Sequence, residues 1–327
     1  GGAGTFGVVT KLTLLTHPLP STFGNIQGII SAKNDDAYKT LLKKLIQFYR
    51  DKLNNEHWGE QISFDQDNTI NLSMLFQGLS NEQVMKTWQP LETWIKKNPG
   101  LYTMKMDVSF VPPTKKWDYS YLEKNRPKSI VLNTAKGASK GEFWWASNSN
   151  EVSAYWYTYQ SWWLPLSLFS DTNTDKLADI FFKASRLTPF TFHINKGLAG
   201  ASKDAIHRGH DTSTNPSVYD AAGLVIMAAG VNTFYPGIKG HEPDLKIAQA
   251  KIQNINSAMQ LFREAAPNAG AYANEADYFM KNWQKVFWGD NYDKLYAIKQ
   301  KYDPQGVFYC HHCVGSEIWT ANGMCKQ

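Results

Sequence analysis

Four glycines crowd the first seven residues: Gly1, Gly2, Gly4 and Gly7. A turn without side chains bares its backbone N–H groups and lets a pyrophosphate come close. Because this turn runs into a strand pattern rather than opening a helix, it is not the dinucleotide fingerprint of a βαβ unit. By itself it reads either as a phosphate cradle or as an ordinary tight turn. His193 is the second chemical candidate, with Asn195 two residues on. Phe190, Phe192 and Ile194 alternate with Thr191, His193 and Asn195. A strand here sends the first set to a core and the second to the opposite, polar face. A histidine so placed is a general acid or base, or a hydrogen-bonded strand residue without chemistry.

The three cysteines, Cys310, Cys313 and Cys325, all lie close to the C-terminus. Cys310-His311-His312-Cys313 has zinc-ligand residue types, yet adjacent ligands in so short a run do not close a tetrahedron, and no second cluster is near. No metal is expected. In an oxidising compartment the pattern predicts a disulfide between Cys325 and one of the other two, with the third thiol free.

The elements that must position these residues are legible in part. Val8 to Thr16 alternates as a strand stopped by Pro18 and Pro20. Tyr38, Leu41, Leu42, Leu45 and Tyr49 mark a helix over about residues 34–52. Ile62 to Asp65 and Ile70 to Phe76 form a hairpin turning at Asp67-Asn68, and Asn71 and Ser73 share the polar face of its second arm. Asn71-Leu72-Ser73 is also a glycosylation sequon, expected to go unused inside a strand. Ser80 and Gln83 compose a capping box for a helix carrying Val84, Trp88, Leu91 and Ile95. Tyr102 to Phe110 alternates again, Leu177 to Ala184 is helical, and Gly223 to Gly230 reads as a central strand. Leu245 to Phe262 is a long amphipathic helix. The order predicts an α+β fold, an antiparallel sheet with helices packed on one face.

At 327 residues and 43% hydrophobic the chain can build a large core. Net charge is +5 with scattered basic residues, which argues against nucleic acid; no apolar run reaches membrane-spanning length. Twelve tryptophans supply either an aromatic core or a surface that stacks on planar or sugar rings.

From Gly270 onward the chain reads Gly-Ala-Tyr-Ala-Asn-Glu-Ala-Asp to Asp277, then Asn282-Trp283-Gln284. Phe287-Trp288-Gly289-Asp290-Asn291-Tyr292 and Lys301-Tyr302-Asp303-Pro304 follow. This ordered run resembles the C-terminal signature of the berberine-bridge-enzyme-like flavin oxidases, nearest their fungal secreted branch. Gly1 to Thr10 resembles the turn that closes the FAD-binding domain in that family. The resemblance implies FAD as cofactor, held in part by Gly1, Gly2, Gly4, Phe6, Gly7, Val8 and Asn274. It implies a small-molecule substrate, dioxygen as acceptor, secretion, and an upstream FAD-binding domain in the same protein. It also implies three segments: the last strand of that domain (residues 1–18), a substrate-binding domain (19–268), and a C-terminal segment returning to the FAD-binding domain (269–327).

Plant members of the family carry Tyr-x-Asn-Tyr, whose second tyrosine is the catalytic base; here Glu275 stands in that place. A carboxylate can remove a hydroxyl proton, and burial beside a flavin raises its basicity. The resemblance thus makes Glu275 and His193 catalytic candidates, with Asn195 and Tyr272 facing substrate. Two other readings stay open. One is a noncatalytic carbohydrate-binding protein using Trp144, Trp145, Trp156, Trp162 and Trp163 as one exposed platform. The other is a family member that kept the fold and lost oxidation.

Overall fold

The computed structural model describes residues 4–151, 154–210, 212–232, 237–320 and 322–327. Its first half alternates β1 (Phe23–Ala32), α1 (Asp35–Phe48), β2 (Trp58–Phe64), β3 (Thr69–Gln77), α2 (Asn81–Lys96) and β4 (Tyr102–Phe110). Next come α3 (Tyr119–Asn125), a small ribbon of β5 (Ile130–Leu132) and β6 (Phe143–Trp145), and then β7 (Ala154–Pro165). α4 (Thr174–Leu187), β8 (Phe190–Ile194), α5 (Lys203–Gly209), β9 (Ala221–Asn232) and α6 (Leu245–Ala265) follow. The C-terminal segment adds α7 (Trp283–Trp288) and α8 (Tyr292–Tyr302).

Seven strands form one antiparallel sheet in the order β4-β1-β3-β2-β8-β9-β7. Four helices, α1, α2, α4 and α6, bury their apolar stripes on one face, as predicted. Asn34 caps α1 through its side chain, and the Ser80–Gln83 box closes the first turn of α2. Beneath α4 and α6, Phe64, Phe181, Phe190 and Phe262 pack with ring centroids 4.8–5.7 Å apart. Full burial of each such ring contributes roughly 1.5–3 kcal/mol, so this cluster fixes which side of β8 faces inward.

Two expectations need correction. Residues 8–16 pair with no strand among the described residues. They run as extended chain with Val8, Leu12, Leu14 and Leu15 largely exposed, because alternation needs a hydrogen-bonding neighbour to become a strand. The first strand is instead β1, whose alternation is masked by Gly24 and Gly28. A Cβ on Gly24 would lie 2.2 Å from the Phe76 ring, and one on Gly28 would lie 2.9 Å from the Lys105 carbonyl oxygen. Those glycines let β3 and β4 close on either side.

Candidate active site

The face of the sheet opposite the helices carries a registered row across all seven strands. It runs Asp107, Gln27, Ser73, Gln61, His193, Leu224, Trp163. The neighbouring row of Leu72, Ile62, Phe192, Val225 and Trp162 points into the helix layer. The first row grades from polar and open at β4 and β1 to apolar and covered at β9 and β7. His193 sits at the boundary, 9% exposed, with its Nδ1 buried and unpartnered. Burial, and secondarily the charge of Lys196, pull its pKa down to about 4, so the ring is neutral at ordinary pH.

The cover over Trp163 and Leu224 comes from two loops. Trp163 N–H donates to the Gly270 carbonyl (2.8 Å), and Tyr272 N–H donates to Ser161 Oγ (3.0 Å), laying residues 270–272 along β7. Behind them, Asn215 Nδ2 donates to the Val286 carbonyl (2.7 Å) while its Oδ1 accepts from Ser217 N–H (2.9 Å). Asn291 Nδ2 donates to the Thr214 carbonyl (2.8 Å). A Cβ on Gly270 would fall 2.2 Å from Asn215 Nδ2 and 2.4 Å from the Val286 oxygen; only glycine fits. Between the loops lies a cleft of about 290 Å³, walled by Trp163, Leu224, Tyr272, Phe287 and Trp288. Lys196, Ser213, Thr214 and Asn274 add polar side chains to its lining.

Glu275 follows the lining residues directly, its N–H donating to the Tyr272 carbonyl (2.9 Å). Its carboxylate is half-buried and makes no hydrogen bond or ion pair among the described residues. Burial raises its pKa, and the Lys196 charge only partly offsets this. Asn274 Nδ2 donates to the Tyr272 hydroxyl (2.9 Å). Tyr272 and Asn274 thus line the cleft and Glu275 adjoins them, while His193 lies on the next strand, paired with the lining residue Leu224. Sequence reasoning missed two further contributors, Lys196 and Asn215. Lys196 is an exposed loop residue without a motif; Asn215, likewise outside any motif, braces the signature segment.

Asn195 does not share the His193 face. It ends β8 with φ +53°, which breaks the alternation. Its Nδ2 lies 2.7–3.1 Å from the carbonyls of Leu53, Asn55 and Trp58, and its Oδ1 is 3.0 Å from the Tyr49 hydroxyl. Those bonds pin the entry to β2. Of the glycine-turn residues, Gly1 and Gly2 lie outside the described residues. Gly4 has φ +74°, Phe6 packs against the main core, and Gly7 and Val8 are exposed. The expected disulfide is also corrected: Cys310 and Cys313 are joined, their Cα atoms 5.3 Å apart, and Cys325 is a free, exposed thiol. The tryptophan platform fails as well. Trp162 and Trp163 are buried on opposite faces of β7, leaving Trp144 and Trp156 as the more exposed members.

Solved structures share this architecture. The VAO-type flavoprotein MtVAO615 from Myceliophthora thermophila C1 superposes with a TM-score of 0.71 at 21% identity, covering 99% of this chain and 53% of that one. A carbohydrate oxidase from Microdochium nivale gives 0.64 at 18% identity, with 97% and 60% coverage. The class is therefore the VAO-type flavoprotein fold.

Within sequence space, the "Berberine and berberine like" family matches residues 271–315. The FAD-linked oxidoreductase apf9 of Gibberella fujikuroi is 25% identical over 338 residues, 98% of this chain and 52% of the relative. The likeness to the berberine-like family thus rests on residues 271–315, and the likeness to FAD-linked oxidoreductases runs along nearly the whole chain at lower identity. It spans about half the length of the relatives that match it end to end.

Proposed function

We propose that this chain is the substrate-facing half of an FAD-dependent oxidase acting on an alcohol, sugar or secondary-metabolite precursor, with dioxygen as terminal acceptor. The observation that carries this reading is the convergence of an unpaired, half-buried Glu275 and a neutral His193 at the covered end of the polar sheet face.

The residues present fit the cofactor. At Gly4 and Gly7 an added Cβ would meet nothing within 4 Å, so the backbone is open to close approach. Between them, Thr5 is fully buried with its hydroxyl unpartnered, an unmet hydrogen-bonding capacity beside the turn. Gly4, Phe6, Gly7 and Val8 would hold part of FAD, together with Asn274. We place the remainder of the cradle in an upstream FAD-binding domain, a reading that the half-length coverage supports; residues 8–16 would find a strand partner there. FAD bound there supplies a two-electron acceptor.

The chain's own residues handle the proton and the orientation. The Glu275 carboxylate takes the substrate hydroxyl proton, its basicity raised by burial. His193 offers its unpartnered Nδ1 to orient that hydroxyl, and Asn274 fixes the Tyr272 phenol beside it. The loops over Trp163 and Leu224 keep water from that end of the face. Overall, a carbinol loses two electrons and two protons to become a carbonyl, and dioxygen gains both to become hydrogen peroxide. The Cys310–Cys313 bond supports secretion, since disulfides persist in oxidising compartments.

An absorbance spectrum of the protein produced with its upstream segment tests the proposal. Flavin bands and substrate-dependent hydrogen peroxide are expected. A folded, colourless protein would overturn it and leave a family member that kept the fold without the reaction.

A further inference from the structure

The polar capacity left unspent in the cleft includes three donors, beside the Asn274 amide oxygen and the Ser213 and Thr214 hydroxyls. Asn215 uses both ends of its amide, on Val286 and Ser217. Asn274 donates to the Tyr272 hydroxyl, which as acceptor keeps its own hydrogen available. Trp163 is 6% exposed, and its indole N–H, which can only donate, is buried without a partner. Lys196 lines the same cleft and makes no hydrogen bond or ion pair among the described residues. Ser213 and Thr214 also line the cleft, and its remaining walls are aromatic and aliphatic: Leu224, Ala271, Phe287 and Trp288.

The aromatic walls of the cleft suit a flat, apolar body, and Lys196, the one charged residue of its lining, favours a negative end on it. We propose that the cleft takes a substrate whose planar, apolar body bears a carboxylate or an equally anionic oxygen, received by Lys196, the Trp163 indole N–H and the Tyr272 O–H. This deepens the oxidase reading and rests on it for the word substrate. Recognition by Lys196 also explains how Glu275 stays free. The two residues are coupled electrostatically, yet no ion pair joins them. An anion seated on Lys196 occupies the cation and leaves the Glu275 carboxylate to take a proton.

Isothermal titration of the full-length protein with 2-naphthoate, its uncharged counterpart 2-naphthalenemethanol, and cellobiose tests the assignment. The acid is expected to bind about tenfold more tightly than the alcohol, the scale of one charge-assisted hydrogen bond. Lys196→Met should remove that preference, Lys196→Arg should keep it, and Trp163→Phe should weaken the acid several-fold. Lys196 is exposed, so its variants are expected to fold; an unchanged melting temperature checks this. Equal binding of acid and alcohol, a preference that survives Lys196→Met, or binding of cellobiose without the acid would overturn the proposal. Flavin absorbance of the same preparation reports separately on the oxidase reading, since binding is measured without turnover.

Discussion

Lys299 Nζ donates to the carbonyl oxygen of Thr5, 2.7 Å away across 294 residues of sequence. The same ammonium donates to Asp303 Oδ2 (2.6 Å) and to the Phe308 carbonyl (2.7 Å), so all three of its hydrogens are used. Asp303 in turn accepts from the N–H groups of Val307 and Phe308, both at 2.9 Å. With side chains only 4% and 5% exposed, the pair ties the glycine turn to α8.

Lys299→Met should therefore cost about 3–5 kcal/mol, the penalty of leaving a buried carboxylate without its partner. It should also increase amide hydrogen exchange at Thr5 to Gly7. Adding Asp303→Asn should recover part of the stability without restoring protection at the turn. Unchanged exchange at those amides would mean that the pair only fills space.

The same pair sets an acid limit. Burial alone would push the Asp303 carboxyl up, but Lys299 and the two N–H groups overcome this and hold it below the usual carboxylate range. A folded pKa below the unfolded one gives stability that is complete above the unfolded value, about 3.9, and lost as pH falls through the folded one. Thermal unfolding followed between pH 2 and pH 6, about two units either side of that value, should show this loss in the wild type. The Lys299→Met/Asp303→Asn protein should show less of it.

Glu275→Gln should lower oxidation by about 10²–10⁴-fold, the usual range for losing a general base, while flavin absorbance stays in place. In the wild type the rate should rise with pH through a value above the ordinary glutamate range, since burial raises the Glu275 pKa and only the ionised form is a base. A raised folded pKa makes ionisation cost stability as pH rises through it. The glutamine variant is therefore expected to melt no lower than wild type at neutral pH.

Asn195→Ala should destabilise by about 2–4 kcal/mol, because the carbonyls of Leu53, Asn55 and Trp58 lose the two hydrogens they share and the positive φ is left to a residue that resists it. Asn195→Gly should lose the same hydrogen bonds but avoid the backbone strain, and so melt above the alanine variant. Equal melting of both would remove the backbone part of the account.

Thiol labelling distinguishes the cysteines. Unreduced, unfolded protein should take up one maleimide, on Cys325, and reduced protein three. Peptide mass mapping that placed the label on Cys310 or Cys313 would revise the pairing.

Where local chemistry decides, the fold was readable in advance: the Ser80–Gln83 box, the hairpin at Asn68, and the phenylalanine side of β8 are all present. β1 escaped because Gly24 and Gly28 are there to admit Phe76 and the β4 backbone, and nothing near them in sequence announces those neighbours. Asn195 followed the alternation on paper, but its amide reaches carbonyls about 140 residues earlier in the chain. Lys196 lacked any pattern, since its significance comes from Trp163 and the 271–274 segment folding beside it. The signature around Glu275 was visible; its unpaired, half-buried state was not, because burial belongs to the assembled sheet.

The row from Asp107 to Trp163 also makes strand registry a chemical coordinate. Along β8, His193 stands between Phe192 and Ile194, both committed to the interior. A slip of one residue between β2 and β8 would carry the imidazole into the phenylalanine cluster and turn a ring out toward the cleft. On the other side of β8, Gly223 lets β9 close up: any side chain there would strike the His193 carbonyl, 2.4 Å from the Cβ position. A slip would thus lose packing and take His193 off the face it shares with Leu224 and Trp163.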